Sequence, residues 1–93
     1  MCPAELKKAI NRKTKAIIPV HLYGQMCEMD KIMKIAKKYK LKVIEDCAQS
    51  FGAKFKKNFV GTFGEVGCFS LHPLKSLGAA GDGGFIVNKN RNL

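Results

Sequence analysis

The sequence predicts an α/β fold with a mostly parallel sheet. Short apolar segments suited to strands alternate with segments of helical periodicity, and no repeat or low-complexity tract interrupts them. An alternation of helices and strands implies right-handed crossovers, which place strands parallel in one sheet. The 93 residues suit one small domain with a modest core.

Two segments are predicted to be helical. Residues 3–11 begin with Pro3, which is favoured in the first turn of a helix, and carry Leu6, Ala9 and Ile10 on one face. A clearer helix begins near residue 29, where apolar residues recur at three- and four-residue steps and lysines occupy the other side. Its apolar stripe comprises Met29, Ile32, Met33, Ala36 and Tyr39. We interpret this stripe as core packing and the lysine side as solvated surface.

Four segments are predicted to be strands: residues 16–20, 41–45, 67–71 and 84–87. We expect these strands to be buried on both faces, as is typical of parallel sheets. Pro19 cannot donate a ladder hydrogen bond, so the first strand should end near it or have a neighbour on one side only. The link between Leu71 and Gly84 is too short for a helical crossover, so the last strand should be antiparallel to its predecessor or distant from it. Residues 56–58 indicate a turn or small hairpin.

The net charge of +10 suggests nucleic-acid binding, because lysines neutralise phosphates. However, the 15 lysines are scattered, only 2 arginines accompany them, and no aromatic platform or docking motif is present, which argues against a nucleic-acid partner. The four cysteines have neither the spacing of a zinc site nor the density of a disulfide scaffold, so no metal is predicted. Neither a signal peptide nor a membrane-spanning apolar run is recognised, which favours a cytoplasmic protein without membrane contact.

Lys75 is the first candidate for catalysis. It is the only lysine set among small and apolar residues, and burial disfavours the ammonium form. A neutral amine can attack a carbonyl and form a Schiff base. Catalysis by pyridoxal 5'-phosphate (PLP) needs such a lysine and a carboxylate that keeps the pyridine nitrogen protonated. Three residues lie at or near the carboxyl ends of separate predicted strands: His21, Asp46 and Ser70. In open α/β sheets, ligands bind at these strand ends.

Four motifs in this order resemble the DegT/DnrJ/EryC1/StrS aminotransferases, which are PLP-dependent sugar aminotransferases of fold type I. The motifs are IIPVHLYG at residues 17–24, VIEDCAQ at 43–49, VGTFG at 60–64 and the segment 69–84 around Lys75. The resemblance implies that residues 1–93 are part of the PLP-binding large domain, with a mostly parallel sheet. It also implies that an N-terminal segment and a C-terminal small domain lie outside them, so the 93 residues alone should be inactive.

The resemblance further implies roles for four residues. Lys75 would bind PLP covalently and then move a proton between substrate and cofactor, while Asp46 would pair with the pyridine nitrogen. Gln49 would contact the ring substituents of PLP, and Ser70 would bind its phosphate. The structural alternatives are a surface lysine, a carboxylate that caps a following helix, a helix-surface amide and a strand serine bonded to the backbone. Three further residues are candidates for the cofactor or sugar site, although a satisfied strand-end residue explains them equally well: His21, Tyr23 and His72.

The function implied by the resemblance is transfer of an amino group from glutamate to a nucleotide-linked keto sugar, in polysaccharide or amino-sugar biosynthesis, by a homodimer. Lys75 argues against the dehydratase branch of the family, in which histidine replaces that lysine. Two other functions stay open: a truncated, non-catalytic binding module, and another fold type I PLP enzyme that acts on amino acids. Visible absorbance of bound cofactor would test the first, and amine-donor assays the second.

Overall fold

The computed structural model describes residues 1–90, which contain two helices and six strands. The elements are α1 (Pro3–Ala9), β1 (Ala16–Ile17), α2 (Met29–Tyr39), β2 (Lys42–Asp46), β3 (Lys54–Phe55), β4 (Asn58–Phe59), β5 (Val66–Ser70) and β6 (Gly84–Asn88). Four strands form one sheet in the order β1-β2-β5-β6. β1, β2 and β5 are parallel, and β6 is antiparallel to β5. The predicted α/β fold with a mostly parallel sheet is therefore confirmed.

Helix α2 covers one face of the sheet. Its buried apolar side chains pack with those of β1 and β2 in a single core cluster, comprising Ile17, Met29, Ile32, Ala36 and Val43. Two residues of α2 depart from the predicted stripe: Tyr39 is 41% exposed, whereas Ile35 is buried. The reason is that α1 packs beside α2, and Ile35 lines the cleft between the two helices. Within residues 1–90, no helix combines the length and the apolar character needed to cross a membrane.

The first strand is shorter than predicted, and part of it is exposed within residues 1–90. Beyond Ile17, only an isolated parallel bridge from Val20 to Asp46 continues it. Ile17 and Pro19 are buried, but Ile18 and Val20 are 54% and 41% exposed. Within residues 1–90 the helices cover only one face of the sheet, so the burial of the second face stays a prediction for a longer polypeptide. The expectation from Pro19 is confirmed: the strand ends near it, at the edge of the sheet.

The last strand returns directly alongside its predecessor. β6 pairs with all of β5, and Phe69 and Phe85 are register partners whose rings stack with centroids 4.6 Å apart. The intervening loop folds back because Leu71 N–H donates to Gly83 O at 2.8 Å and Ala79 N–H donates to Leu71 O at 2.8 Å. The antiparallel alternative is thus confirmed. The short hairpin is confirmed as well, since β3 and β4 pair across residues 56–57.

We expect the 93 residues expressed alone to self-associate. Ile18 and Ile86 are 54% and 66% exposed, and each edge strand has one partner among the described residues. Exposed apolar side chains on open edges favour pairing between chains. Replacing both residues by threonine should shift the chain toward the monomer in size-exclusion chromatography with light scattering. Tyr39→Thr, on helix α2, is the control that should leave association unchanged, and a monomeric unmodified chain would contradict the expectation.

Candidate functional site

The carboxyl ends of the parallel strands meet at one edge of the sheet. Asp46 is the last residue of β2 and Ser70 the last of β5. The segment after β1 is bonded to the end of β2, because His21 N–H donates to Asp46 O at 3.0 Å and Asp46 N–H donates to Pro19 O at 3.0 Å. The structure therefore brings the ends of the three strands together, with Asp46 in the central one.

A buried carboxylate that was missed at the level of sequence organises this edge. Glu45 is fully buried. Its Oε1 accepts the N–H groups of Phe63 at 2.7 Å and Gly64 at 2.8 Å, and its Oε2 accepts Gly61 N–H at 2.9 Å and His21 Nε2–H at 3.2 Å. Burial acts to raise the pKa of Glu45, but these four hydrogen bonds together lower it below its ordinary value. Glu45 is therefore charged at neutral pH, and its four hydrogen bonds offset the cost of burying that charge.

His21 is held by the same network in one tautomer. Its ring is fully buried, and Nδ1 accepts the backbone N–H of Cys27 at 3.1 Å. Nδ1 therefore carries no proton, and Nε2 carries the one donated to Glu45. Both ring nitrogens are committed to the protein, which makes His21 a satisfied strand-end histidine.

The loop at residues 60–64 can reach Glu45 because it contains glycine at two crowded positions. Gly61 has φ of 80°, and a Cβ atom there would lie 2.7 Å from the ring of Phe69. A Cβ on Gly64 would lie 2.4 Å from the carbonyl oxygen of Val43. Only glycine tolerates both the positive φ and these close approaches. The VGTFG motif thus shapes a loop whose amides bind the Glu45 carboxylate.

His21, Glu45 and Cys47 form a buried group whose ligand atoms lie within 4.8 Å of one another, as in some metal sites. Burial, followed by the charges of Glu45 and Asp46, raises the pKa of the Cys47 thiol to about 12. The Cys47 thiol therefore keeps its proton in this network. Because His21 and Glu45 already bind protein donors and acceptors, we interpret the group as a hydrogen-bonded network.

Lys75 and Gln49 line one cleft of about 390 Å³. The residues that line it are Tyr23, Gly24, Gln49, Leu74, Lys75 and Ser76. Gly24 N–H donates to Gln49 O at 2.9 Å, which fixes one wall. Lys75 is half-buried, and its Nζ makes no hydrogen bond or ion pair with the other described residues. A cleft of about 530 Å³ lies elsewhere, between α1 and α2, and includes none of the strand ends.

Asp46 and Ser70 end neighbouring strands but do not line the Lys75 cleft as the structure stands. Asp46 Oδ1 accepts Ala48 N–H at 3.1 Å, and Oδ2 has no hydrogen-bond partner within residues 1–90. Ser70 Oγ accepts His72 N–H at 3.3 Å, so its hydroxyl proton remains available to a ligand. Residues 48–49 form a turn. The helix-cap alternative for Asp46 and the helix-surface alternative for Gln49 are therefore wrong. Ser70 does bond to the backbone, but it is half-buried and not buried as its alternative required.

Comparisons with known proteins agree with this architecture. The family model of the DegT/DnrJ/EryC1/StrS aminotransferases matches residues 1–93. The chain is 54% identical over 93 residues to the UDP-N-acetyl-3-dehydro-alpha-D-glucosamine 3-aminotransferase of Acidithiobacillus ferrooxidans, matching 100% of this chain and 25% of that enzyme. The X-ray structure of an aminotransferase from Psychrobacter cryohalolentis superposes with a TM-score of 0.94 at 40% identity, covering 97% of this chain and 23% of that one.

A second solved structure has a cofactor bound. It is a Bacillus subtilis protein with the cofactor PMP, 38% identical, with a TM-score of 0.87 and coverage of 98% of this chain and 20% of that one. The chain therefore spans about a quarter or less of the length of the relatives it matches.

We predict that Glu45→Gln lowers the free energy of unfolding by about 2–4 kcal/mol, because an amide leaves buried N–H donors without an acceptor. The folded pKa of Glu45 lies below its ordinary value of 4.5, so its contribution is complete above that value and is lost as the pH falls through the folded pKa. The stability difference between the two proteins should accordingly shrink in acid. Urea unfolding followed by circular dichroism, at pH 7 and at successively lower pH, measures it.

Glu65→Gln is the matched control. Glu65 accepts Val43 N–H at 2.7 Å, and its side chain is 38% exposed. An amide oxygen can still accept this one bond, so the loss should stay within about 1 kcal/mol. Equal losses in the two variants at pH 7 would show that Glu45 has no special role.

Proposed function

We propose that this chain, which belongs to the DegT/DnrJ/EryC1/StrS aminotransferase family, carries the catalytic lysine of a nucleotide-sugar aminotransferase. The reaction would move an amino group from glutamate to a nucleotide-linked keto sugar, in polysaccharide or amino-sugar biosynthesis. The observation that carries the proposal is the shared cleft of Lys75 and Gln49, beside strand ends that bear Asp46 and Ser70. The Acidithiobacillus relative, a UDP-sugar 3-aminotransferase by name, supports the substrate class.

The groups left free at this edge fit PLP, the cofactor of this aminotransferase family. PLP has an aldehyde, a ring nitrogen, ring substituents and a phosphate. The aldehyde is matched by the unpaired amine of Lys75, and the ring nitrogen by the unpaired Oδ2 of Asp46. The phosphate is matched by the available hydroxyl proton of Ser70. Gln49, in the same cleft as Lys75, would serve the ring substituents. When bound, PLP supplies an electron-accepting ring that stabilises charge at the substrate carbon.

Lys75 would act through its Nζ atom in two ways. It would hold the cofactor covalently before substrate arrives, and it would then move a proton between the substrate carbon and the cofactor. Its backbone is fixed for this role, since Lys75 N–H donates to His72 O at 2.8 Å.

Asp46 and Ser70 would hold the two ends of the cofactor. Asp46, as a carboxylate, would keep the pyridine nitrogen cationic, and its Oδ1 is already oriented by Ala48 N–H. Ser70 would donate its hydroxyl proton to the phosphate while still accepting His72 N–H. Backbone hydrogen bonds fix Asp46 at the edge of the sheet, which is the rigidity that a binding site requires.

We also propose that residues 1–93 form part of the PLP-binding large domain of a longer polypeptide, which acts as a homodimer. Coverage of about a quarter of the relatives' length supports the first statement. The homodimer rests on the resemblance alone. A cytoplasmic location is supported by four free cysteines, since thiols persist in reducing compartments.

The proposed function is tested by covalent labelling of Lys75 in the complete protein. Borohydride reduction of the cofactor-loaded protein, followed by peptide mass mapping, should place the cofactor mass on Lys75. Lys75→Ala should abolish both the label and transamination of the keto sugar. Lys57→Ala, in the exposed turn of the β3–β4 hairpin, should leave both unchanged. A label on another lysine of the unmodified protein would refute the assignment.

Asp46→Asn should reduce turnover strongly with a modest loss of bound cofactor. The amide fills nearly the same volume but cannot keep the pyridine nitrogen protonated. We expect a rate loss on the order of a hundredfold or more, measured as kcat beside the cofactor absorbance per subunit. Asp82→Asn is the control, because Asp82 is an exposed residue of the 71–83 loop. Near-normal turnover in Asp46→Asn would restrict Asp46 to orienting the turn that follows.

A further inference from the structure

The turn between Leu22 and Gln25 lines the Lys75 cleft and has an unusual backbone conformation. Gln25 N–H donates to Leu22 O at 2.8 Å, and the two central residues, Tyr23 and Gly24, have φ of 52° and 74°. Two positive φ values are the signature of a tight turn whose central positions favour glycine, asparagine and aspartate. Gly24 suits its position, whereas Tyr23 does not. A bulky residue in this region is strained and persists where surrounding structure or function requires it.

The position of the turn does not depend on the Tyr23 side chain. Gly24 N–H donates to Gln49 O at 2.9 Å, and His21 N–H donates to Asp46 O at 3.0 Å. The buried bond between His21 and Glu45 fixes the same segment from inside. Tyr23 itself is 88% exposed and makes neither a hydrogen bond nor a ring contact with the rest of residues 1–90. Tyr23 therefore holds an unfavourable backbone conformation, and its ring does nothing to stabilise the described fold.

The ring is placed to contact a ligand that reaches Lys75. Tyr23, Gln49 and Lys75 line the same cleft of about 390 Å³. An aromatic face binds the apolar faces of other rings, and a phenol adds a hydrogen-bond donor at its edge. Glutamate has no ring, whereas a nucleotide-linked sugar has several.

We propose that Tyr23 is a substrate-binding residue that packs its ring against the nucleotide-linked sugar in the Lys75 cleft. This inference rests on the proposed function and adds to it a residue that determines affinity for the sugar substrate. Its consequence is a trade-off: a residue that relaxes the turn should make the protein more stable and its binding of the sugar nucleotide weaker.

The test compares Tyr23→Asn with Tyr23→Phe in the complete, cofactor-loaded protein. Asparagine tolerates positive φ, so Tyr23→Asn should raise the midpoint of thermal unfolding by roughly 1–4 °C. Calorimetric titration uses a UDP-, a GDP- and a dTDP-linked hexose, and the tightest ligand of the unmodified protein is then used for the variants. Its Kd should rise roughly tenfold in Tyr23→Asn, and by less in Tyr23→Phe, which keeps the ring.

Lys40→Asn is the matched control. Lys40 has φ of 54° at the end of α2, and it does not line the Lys75 cleft. This variant should also gain stability, but its Kd should match that of the unmodified protein. An unchanged Kd in Tyr23→Asn would overturn the inference, as would a fall in its unfolding midpoint, which would show that other protein covers the ring.

Failure of the proposed function has a different signature. In that case the unmodified protein itself would bind none of the three sugar nucleotides, or borohydride would leave Lys75 unlabelled. Binding by the unmodified protein with no change in Tyr23→Asn refutes the role of Tyr23 alone.

Discussion

The buried carboxylate of Glu45 is the constraint on which the rest of this structure depends. An isolated charge in a protein interior is very unfavourable, so the fold must supply donors around it. It does so with three amides of the loop at residues 60–64 and the ring of His21. These partners lie on both sides of β2 in sequence. One side chain therefore connects the VIEDCAQ segment with the IIPVHLYG segment before it and the VGTFG segment after it.

This arrangement gives two adjacent carboxylates opposite environments. Successive side chains of a strand project to opposite faces, so Glu45 and Asp46 are separated although they are neighbours in sequence. Glu45 has every lone-pair direction engaged by the protein, whereas Asp46 uses one oxygen for the Ala48 amide. A saturated carboxylate suits a structural role and a partly free one suits a ligand. Under the proposed function, the pair would divide structure and chemistry between consecutive residues.

Much of the fold could be predicted from sequence because its signals are local. The three- and four-residue spacing in α2, the proline in the first strand and the short link before β6 each act within a few residues. The errors come from contacts that are distant in sequence. Ile35 is buried because α1 packs against α2, a contact that the spacing within α2 does not reveal. Glu45 was missed for the same reason, since an acid at the end of an apolar strand indicates nothing until the loop eighteen residues later folds onto it.

The candidate site could be predicted as a list of residues, but not as a geometry. Sequence motifs and their order pointed to Lys75, Asp46, Gln49 and Ser70, and the topology places the last three at or just beyond the ends of neighbouring strands. Which of them share a cleft depends on how loops turn. In the structure Gln49 and Lys75 line the same cleft, whereas Asp46 and Ser70 do not line it. Tyr23 was only a candidate from sequence, and it lines that cleft because of a tight turn with two positive φ values. A tyrosine-glycine pair does not predict such a turn.

The same hydrogen bonds explain how such a site could vary without loss of the fold. The turn that bears Tyr23 is attached through backbone groups, by Gly24 N–H to Gln49 O and by His21 N–H to Asp46 O. The side chain of Tyr23 contributes nothing to either bond, so its replacement leaves the attachment in place. A change at Tyr23 can therefore alter what the cleft accepts, while a change at Glu45 removes the support of both loops. Under the proposal for Tyr23, a buried side chain would carry stability and an exposed one recognition, and the peptide backbone between them keeps the two in fixed relation.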